Sequence, residues 1–164
     1  MANCNNVAFN LSSIYNIAMV QDSIRVLQAQ GHKATRPRKL VLEVLEETEK
    51  PLSPYDIQGI LRDRGKHLNH VTIYRVLDLL CSLNLAHKLL SHGGFVKCSL
   101  DAIEGCHRFM VCQHCGAIQE FADKGLCQEE NDFARNFDFH TEHHLSEFSG
   151  LCSRCYKKIA LLAK

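Results

Sequence analysis

Residues 69–84, NHVTIYRVLDLLCSLN, read as an amphipathic helix whose polar face is as informative as its apolar one. The helix begins at Asn69, and Ile73, Val76, Leu77 and Leu80 recur at the i, i+3, i+4, i+7 spacing that lines one helical face. Arg75 and Asp78 fall on the outer face, with Tyr74 at its edge.

Upstream, residues 34–50, ATRPRKLVLEVLEETEK, predict a helix of about three turns, with Thr35 as N-cap, Pro37 in the first turn and Leu40, Val41, Val44 and Leu45 on one face. Residues 51–65, PLSPYDIQGILRDRG, repeat the pattern. Ser53 is the N-cap, Pro54 opens the helix, Asp56 sits at the capping-box position, and Gly65 stops it after Ile57, Ile60 and Leu61. Downstream of Leu85 the period shortens: LAHKLL (85–90) and FVKCSL (95–100) are strand-like, joined by SHGG. Helices followed by a hairpin predict a winged helix-turn-helix. There the helix from Asn69 would enter a major groove, with Arg75 placed to bond guanine O6 and N7, and Lys33, Arg36, Arg38 and Lys39 near phosphates or a minor groove. Taken singly these are ordinary solvated side chains. The order of elements favours the nucleic-acid reading.

Charge points the same way. Residues 20–98 hold 12 Lys and Arg against 8 Asp and Glu, whereas residues 99–164 hold 7 against 10, so the overall +1 conceals a basic half and an acidic one. The 164 residues suffice for one ordinary domain or two small ones, and 46% hydrophobic with 3 prolines gives no case for extended disorder. The first 19 residues carry no charged side chain and lack the basic start of a secretory signal. No later run approaches a membrane span, so a cytoplasmic protein with a flexible N-terminus is expected.

The acidic half holds VCQHCG (111–116) and GLCSRC (150–155). Nine cysteines, an odd number, arranged around two CxxC pairs favour metal over disulfides. Cys112, Cys115, Cys152 and Cys155 fit a tetrahedral Zn2+ site; four thiolates leave no open position, so the site is expected to be structural. Around them, residues 106–121 read as strand, 121–137 as helix and 139–152 as strand, a small α+β unit. His87, Cys98, His107 and Glu120 are of types that make a mixed N/S/O site, although sequence distance alone does not show that they converge. Each also has an ordinary reading: a surface histidine, a small apolar strand residue, a solvated acid.

The order and spacing of ATRPRKLVLEVL, LSPYDIQGIL, HVTIYRVLDLL, GGFVKCSL, HRFMVCQHCGAIQEF and GLCSRC, from about Gln21 to Tyr156, resemble the ferric-uptake-regulator superfamily of metal-dependent repressors. The resemblance implies a winged-helix DNA-binding domain over 20–98 with a hinge at its end, then a metal-binding dimerisation domain over 99–164. It implies a homodimer on a palindromic double-stranded DNA operator, with no membrane and no small-molecule substrate. Within the superfamily, the set His87, Cys98, His107, Glu120 is similar to the regulatory site of the zinc-uptake branch; the iron branch carries Glu at the place of Cys98, and a second His where Met110 stands. Zinc is thus the expected cofactor at both sites, with control of zinc uptake and homeostasis genes, and an iron- or peroxide-responsive regulator is the alternative.

The resemblance also implies DNA contacts for Lys33, Tyr55, Tyr74 and Arg75, and leaves Cys106 as a rival to His107. A third family site maps onto Cys106, Arg108, Cys127 and His144. Arg108 cannot ligate, so that site is either altered to Cys106, Cys127 and His144 or lost. A zinc hydrolase or deaminase is disfavoured, since HExxH is absent and HRF lacks the glutamate of a deaminase HxE.

Overall fold

The computed structural model describes residue 20 and residues 22–48, 50–100, 106–141 and 146–162. The expected flexible N-terminus, His144 and residues 101–105 fall outside these. The chain divides into two compact units, residues 1–97 and 98–164.

The first unit runs α1 (residues 22–29), α2 (Arg36–Glu46), α3 (Pro54–Asp63), α4 (His70–Ser82), β1 (Ala86–Leu89) and β2 (Gly94–Lys97). Its helices begin where their caps stand. Ser53 Oγ accepts from the Asp56 N–H at 3.2 Å while Asp56 Oδ2 accepts from the Ser53 N–H at 2.8 Å, a complete capping box. Asn69 Oδ1 accepts from the Thr72 N–H at 2.7 Å. Thr35 has the N-cap backbone conformation, yet its side chain makes no capping bond, because Pro37 removes one of the early donors. Gly65 takes φ +66 just past α3, and Lys66 N–H returns to Leu61 O at 2.8 Å, ending that helix.

The apolar stripes meet in one core. Leu27, Val41, Leu42, Ile57, Ile73, Leu77 and Leu80 are fully buried, and Phe95 of the wing closes it from the side. Each such side chain contributes about 1.5–3 kcal/mol of transfer free energy, an upper figure given residual burial in unfolded chains. The wing hairpin pairs Ala86 with Lys97 and Leu89 with Gly94. A short third segment joins it: Leu52 and Phe95 exchange N–H···O bonds of 3.0 and 2.8 Å. That bridge brings Pro51 against Gly94 so closely that a Cβ at Gly94 would lie 2.7 Å from Pro51 Cβ.

The second unit contains β3 (His107–Cys112), β4 (Ile118–Ala122), α5 (Lys124–Arg135), β5 (Ser146–Gly150) and α6 (Ser153–Leu162). Its sheet order is β4-β3-β5, with β4 antiparallel and β5 parallel to β3. Phe109 and Val111 of the central strand are its buried apolar residues. Arg108, also buried, donates to Glu130 Oε2 at 2.5 Å and to the carbonyls of Cys106 and Asp123 at 3.3 and 3.4 Å. In contrast, α5 has no buried residue, and Phe133, Phe137, Phe139, Phe148 and Leu161 are exposed. Among the described residues no helix is long and apolar enough to cross a membrane.

Candidate metal centres and nucleic-acid face

Strand order brings the two CxxC pairs together. Cys112 ends β3, the chain turns through residues 113–115 with Gly116 at φ +71, and β4 begins at Ile118. Because β5 runs parallel to β3, Gly150 lies beside Cys112, and the chain then passes through Cys152 into α6, whose first turn carries Cys155. The four sulfurs lie within 4.8 Å of one another, with Cys115 and Cys152 at 3.8 Å. Four ligands about 2.3 Å from a tetrahedral centre stand roughly 3.8 Å apart, so the sulfur set fits a Zn2+ ion.

Local electrostatics prepares one ligand. Hydrogen bonds from backbone N–H groups, the largest from Cys152 at 3.2 Å and the next from Cys115, hold Cys112 at about 5, well below an ordinary thiol. The Cys155 N–H lowers Cys152 likewise, whereas burial, with the neighbouring sulfurs, pushes Cys155 up to about 12. A cation bound there would supply the charge that lets all four ionise together.

A second cluster lies in the same unit. His107 opens β3 and Glu120 lies in β4; the register pairs His107 with Ala122 and Phe109 with Glu120, so His107 and Glu120 are diagonal neighbours on one sheet face. His107 Nδ1 is 2.6 Å from Glu120 Oε1, and Cys98 Sγ is 3.7 Å from that nitrogen and 3.6 Å from that oxygen. Their side chains are largely buried, at 10% exposure for His107 and 3% for Glu120. Ser99 fixes the carboxylate: its N–H and Oγ–H donate to Oε2 at 2.6 and 2.8 Å, which leaves Oε1 turned to the sulfur and the imidazole. One S, one N and one O donor, gathered and oriented, form a set that suits Zn2+. Sequence reasoning passed over Ser99, whose only signal is its place next to Cys98.

The remaining site residues are placed as follows. His87 is on β1 of the first unit, opposite Val96 and 9% exposed. Cys106 and Cys127 are joined as a disulfide, so Cys106 faces α5 while its neighbour His107 faces Cys98. On α4, Arg75 and Tyr74 are exposed, and Tyr55 of α3 and Lys33 before α2 are exposed as well. Between the two tyrosines lies His70, a residue the sequence reading left out: its ring stacks on Tyr55 at 3.9 Å and meets Tyr74 edge-on at 4.7 Å. The spacing of His70 and Tyr74, one helical turn apart, was the available signal.

A winged helix-turn-helix unit carried in one chain with a sheet unit that gathers two sets of metal-ligand side chains defines the class of metal-dependent transcription regulators. Residues 29–149 match the ferric uptake regulator family, and the chain belongs to it. It is a transcription regulator of that family and not an enzyme. The ferric uptake regulation protein of Bacillus subtilis (strain 168) is 29% identical over 135 residues, 80% of this chain and 91% of that protein. The zinc uptake regulation protein of Escherichia coli (strain K12) is 30% identical over 129 residues, 77% of this chain and 75% of that one. Among solved structures, a zinc uptake regulator complexed with zinc and DNA superposes with a TM-score of 0.81 at 25% identity, covering 88% of this chain and 97% of its own.

Proposed function

We propose that the chain is a cytoplasmic, zinc-responsive transcriptional repressor that binds a palindromic operator as a metal-loaded homodimer and controls zinc uptake and homeostasis genes. The observation that carries the choice of metal is the thiol of Cys98 set against His107 and Glu120. A thiolate favours Zn2+ over Fe2+ or Mn2+, which prefer harder N/O surroundings. His87 is the fourth ligand in this reading, on the strength of the sequence resemblance. A regulatory metal acts on operator binding through its differential affinity for the DNA-binding arrangement, so metal affinity and operator affinity are linked.

Cys112, Cys115, Cys152 and Cys155 hold a structural zinc. The exposed Phe133, Phe137, Phe139 and Phe148 support a second copy as partner, since a unit with so few buried side chains gains most by covering such a surface. Tyr55, Tyr74, Arg75 and Lys33 form the DNA face. The zinc-named relative and the zinc- and DNA-bound neighbour agree with this reading, and the ferric-named relative keeps iron as the alternative. The test is operator-type DNA binding by the metal-stripped chain across Zn2+, Fe2+ and Mn2+ under anaerobic conditions. Binding restored by Zn2+ at the lowest free concentration supports the proposal; restoration by Fe2+ alone contradicts it.

A further inference from the structure

Cys106 and Cys127 belong to neither of the two ligand clusters. The bond spans 21 residues, closing a loop that contains His107, Cys112, Cys115 and Glu120, four of the residues assigned above to metal. It fastens the start of β3 to the first turn of α5. Beside it, buried Arg108 is paired with Glu130 of the same helix, so the place where the family resemblance puts a third metal is spanned by a guanidinium ion pair and a sulfur bridge. Cys98, Cys112, Cys115, Cys152 and Cys155 are thiols gathered in the two ligand clusters, a set that belongs where thiols stay reduced, and a disulfide in such a compartment is transient rather than a permanent staple.

We infer that Cys106 and Cys127 form a reversible redox modification site, a dithiol that hydroperoxides oxidise and small dithiols reduce. Both residues are half-buried and so reachable by a small oxidant. One thiolate attacks a peroxide oxygen, breaking the O–O bond, giving a sulfenic acid and, for hydrogen peroxide, one water after proton uptake. The second thiol attacks that sulfur, the S–S bond forms and a second water leaves, so two thiols are oxidised as one peroxide is reduced. Exchange with a dithiol reverses it. Helix α5 buries no side chain and is tied to its unit through Glu130 and Asn131, so closing the bond at Cys127 adds a covalent attachment to a lightly held helix.

The test uses the zinc-loaded full chain exposed to graded hydrogen peroxide, alkylated, digested with trypsin and mapped by mass spectrometry. The expected product links the peptide 98–108 to 125–135, through Cys106 rather than Cys98, while zinc stays bound. Dithiothreitol reverses it in the folded chain, and amide exchange in α5 slows at least tenfold on oxidation. In Cys127→Ser that slowing disappears; should this variant not fold, the wild-type map carries the test. A link through Cys98, loss of zinc before any link forms, both cysteines alkylated throughout, resistance to dithiothreitol, or α5 exchange that ignores peroxide would each overturn the inference.

Discussion

Gly94→Ala is expected to destabilise the winged-helix unit by about 2–4 kcal/mol, out of proportion to one added methyl group. The new Cβ would lie 2.7 Å from Pro51 Cβ, 3.0 Å from Pro51 C and 3.1 Å from Leu52 N, against an ordinary carbon contact of about 3.5–4.0 Å. The atoms it meets belong to a proline ring and a backbone, so there is no flexible side chain to give way. Relief requires separating residues 51–52 from β2, which endangers the two bonds between Leu52 and Phe95, each contributing about 1 kcal/mol, and begins to expose Phe95, 3% exposed in the core. The same substitution at Gly59, inside α3 with nothing within 4 Å of its Cβ, should stabilise by about 0.4–1 kcal/mol. Urea unfolding of both variants of the full chain, followed by far-ultraviolet circular dichroism, measures the contrast. A Gly94→Ala variant within 0.5 kcal/mol of wild type would refute the argument from close approach.

Other expectations follow from the sites. Cys112→Ser or Cys155→Ser should bind one zinc fewer per chain and unfold the sheet unit, since metal binding there is folding free energy; a variant with unchanged zinc count and melting would contradict the structural role. Arg75→Ala should cost about 1–3 kcal/mol of specific operator binding and relax base preference at one position, while Lys33→Ala weakens all sequences alike and lowers the salt slope by about 1. Equal losses on operator and random DNA for Arg75→Ala would remove it as a base reader. Ser53→Ala should cost about 1 kcal/mol at neutral pH. The Ser53 side chain first, and its N–H second, hold Asp56 below its ordinary carboxylate value. The part of the stabilisation that the charged Asp56 supplies is therefore present above that ordinary value and is lost as pH falls through the depressed one, so the gap between variant and wild type should narrow in acid, leaving the share from the Ser53 Oγ bond to the Asp56 N–H.

The helices could be read from the chain because their signals are local: Ser53 with Asp56, Pro54 at the first helical position, and apolar residues at helical spacing need no knowledge of the rest of the fold. The wing hairpin was legible for the same reason, but its third member was not, since a single bridge between Leu52 and Phe95 leaves no periodicity. The strands around the cysteines could be named, whereas the parallel pairing of β5 with β3 could not, and that pairing is what places Gly150 beside Cys112. Two CxxC turns announce ligands through spacing alone. Cys98, His107 and Glu120 each look ordinary in sequence, and only the register of β3 on β4 makes the last two neighbours. Ser99, His70 and the Cys106–Cys127 bond depend on tertiary contacts that have no sequence period at all.

The measurement that tests the central claim most directly is operator binding by Cys98→Ser with and without Zn2+, with zinc counted per chain in the same samples. Cys98 supplies the sulfur of the cluster with His107 and Glu120 and takes no part in the four-cysteine set. The variant should therefore keep the structural zinc and stay a folded dimer. Its zinc-induced gain in operator affinity, about 5- to 150-fold for a coupling of 1–3 kcal/mol, should vanish. A Cys98→Ser chain that still binds its operator only when zinc is added, with the wild-type gain, would contradict the account.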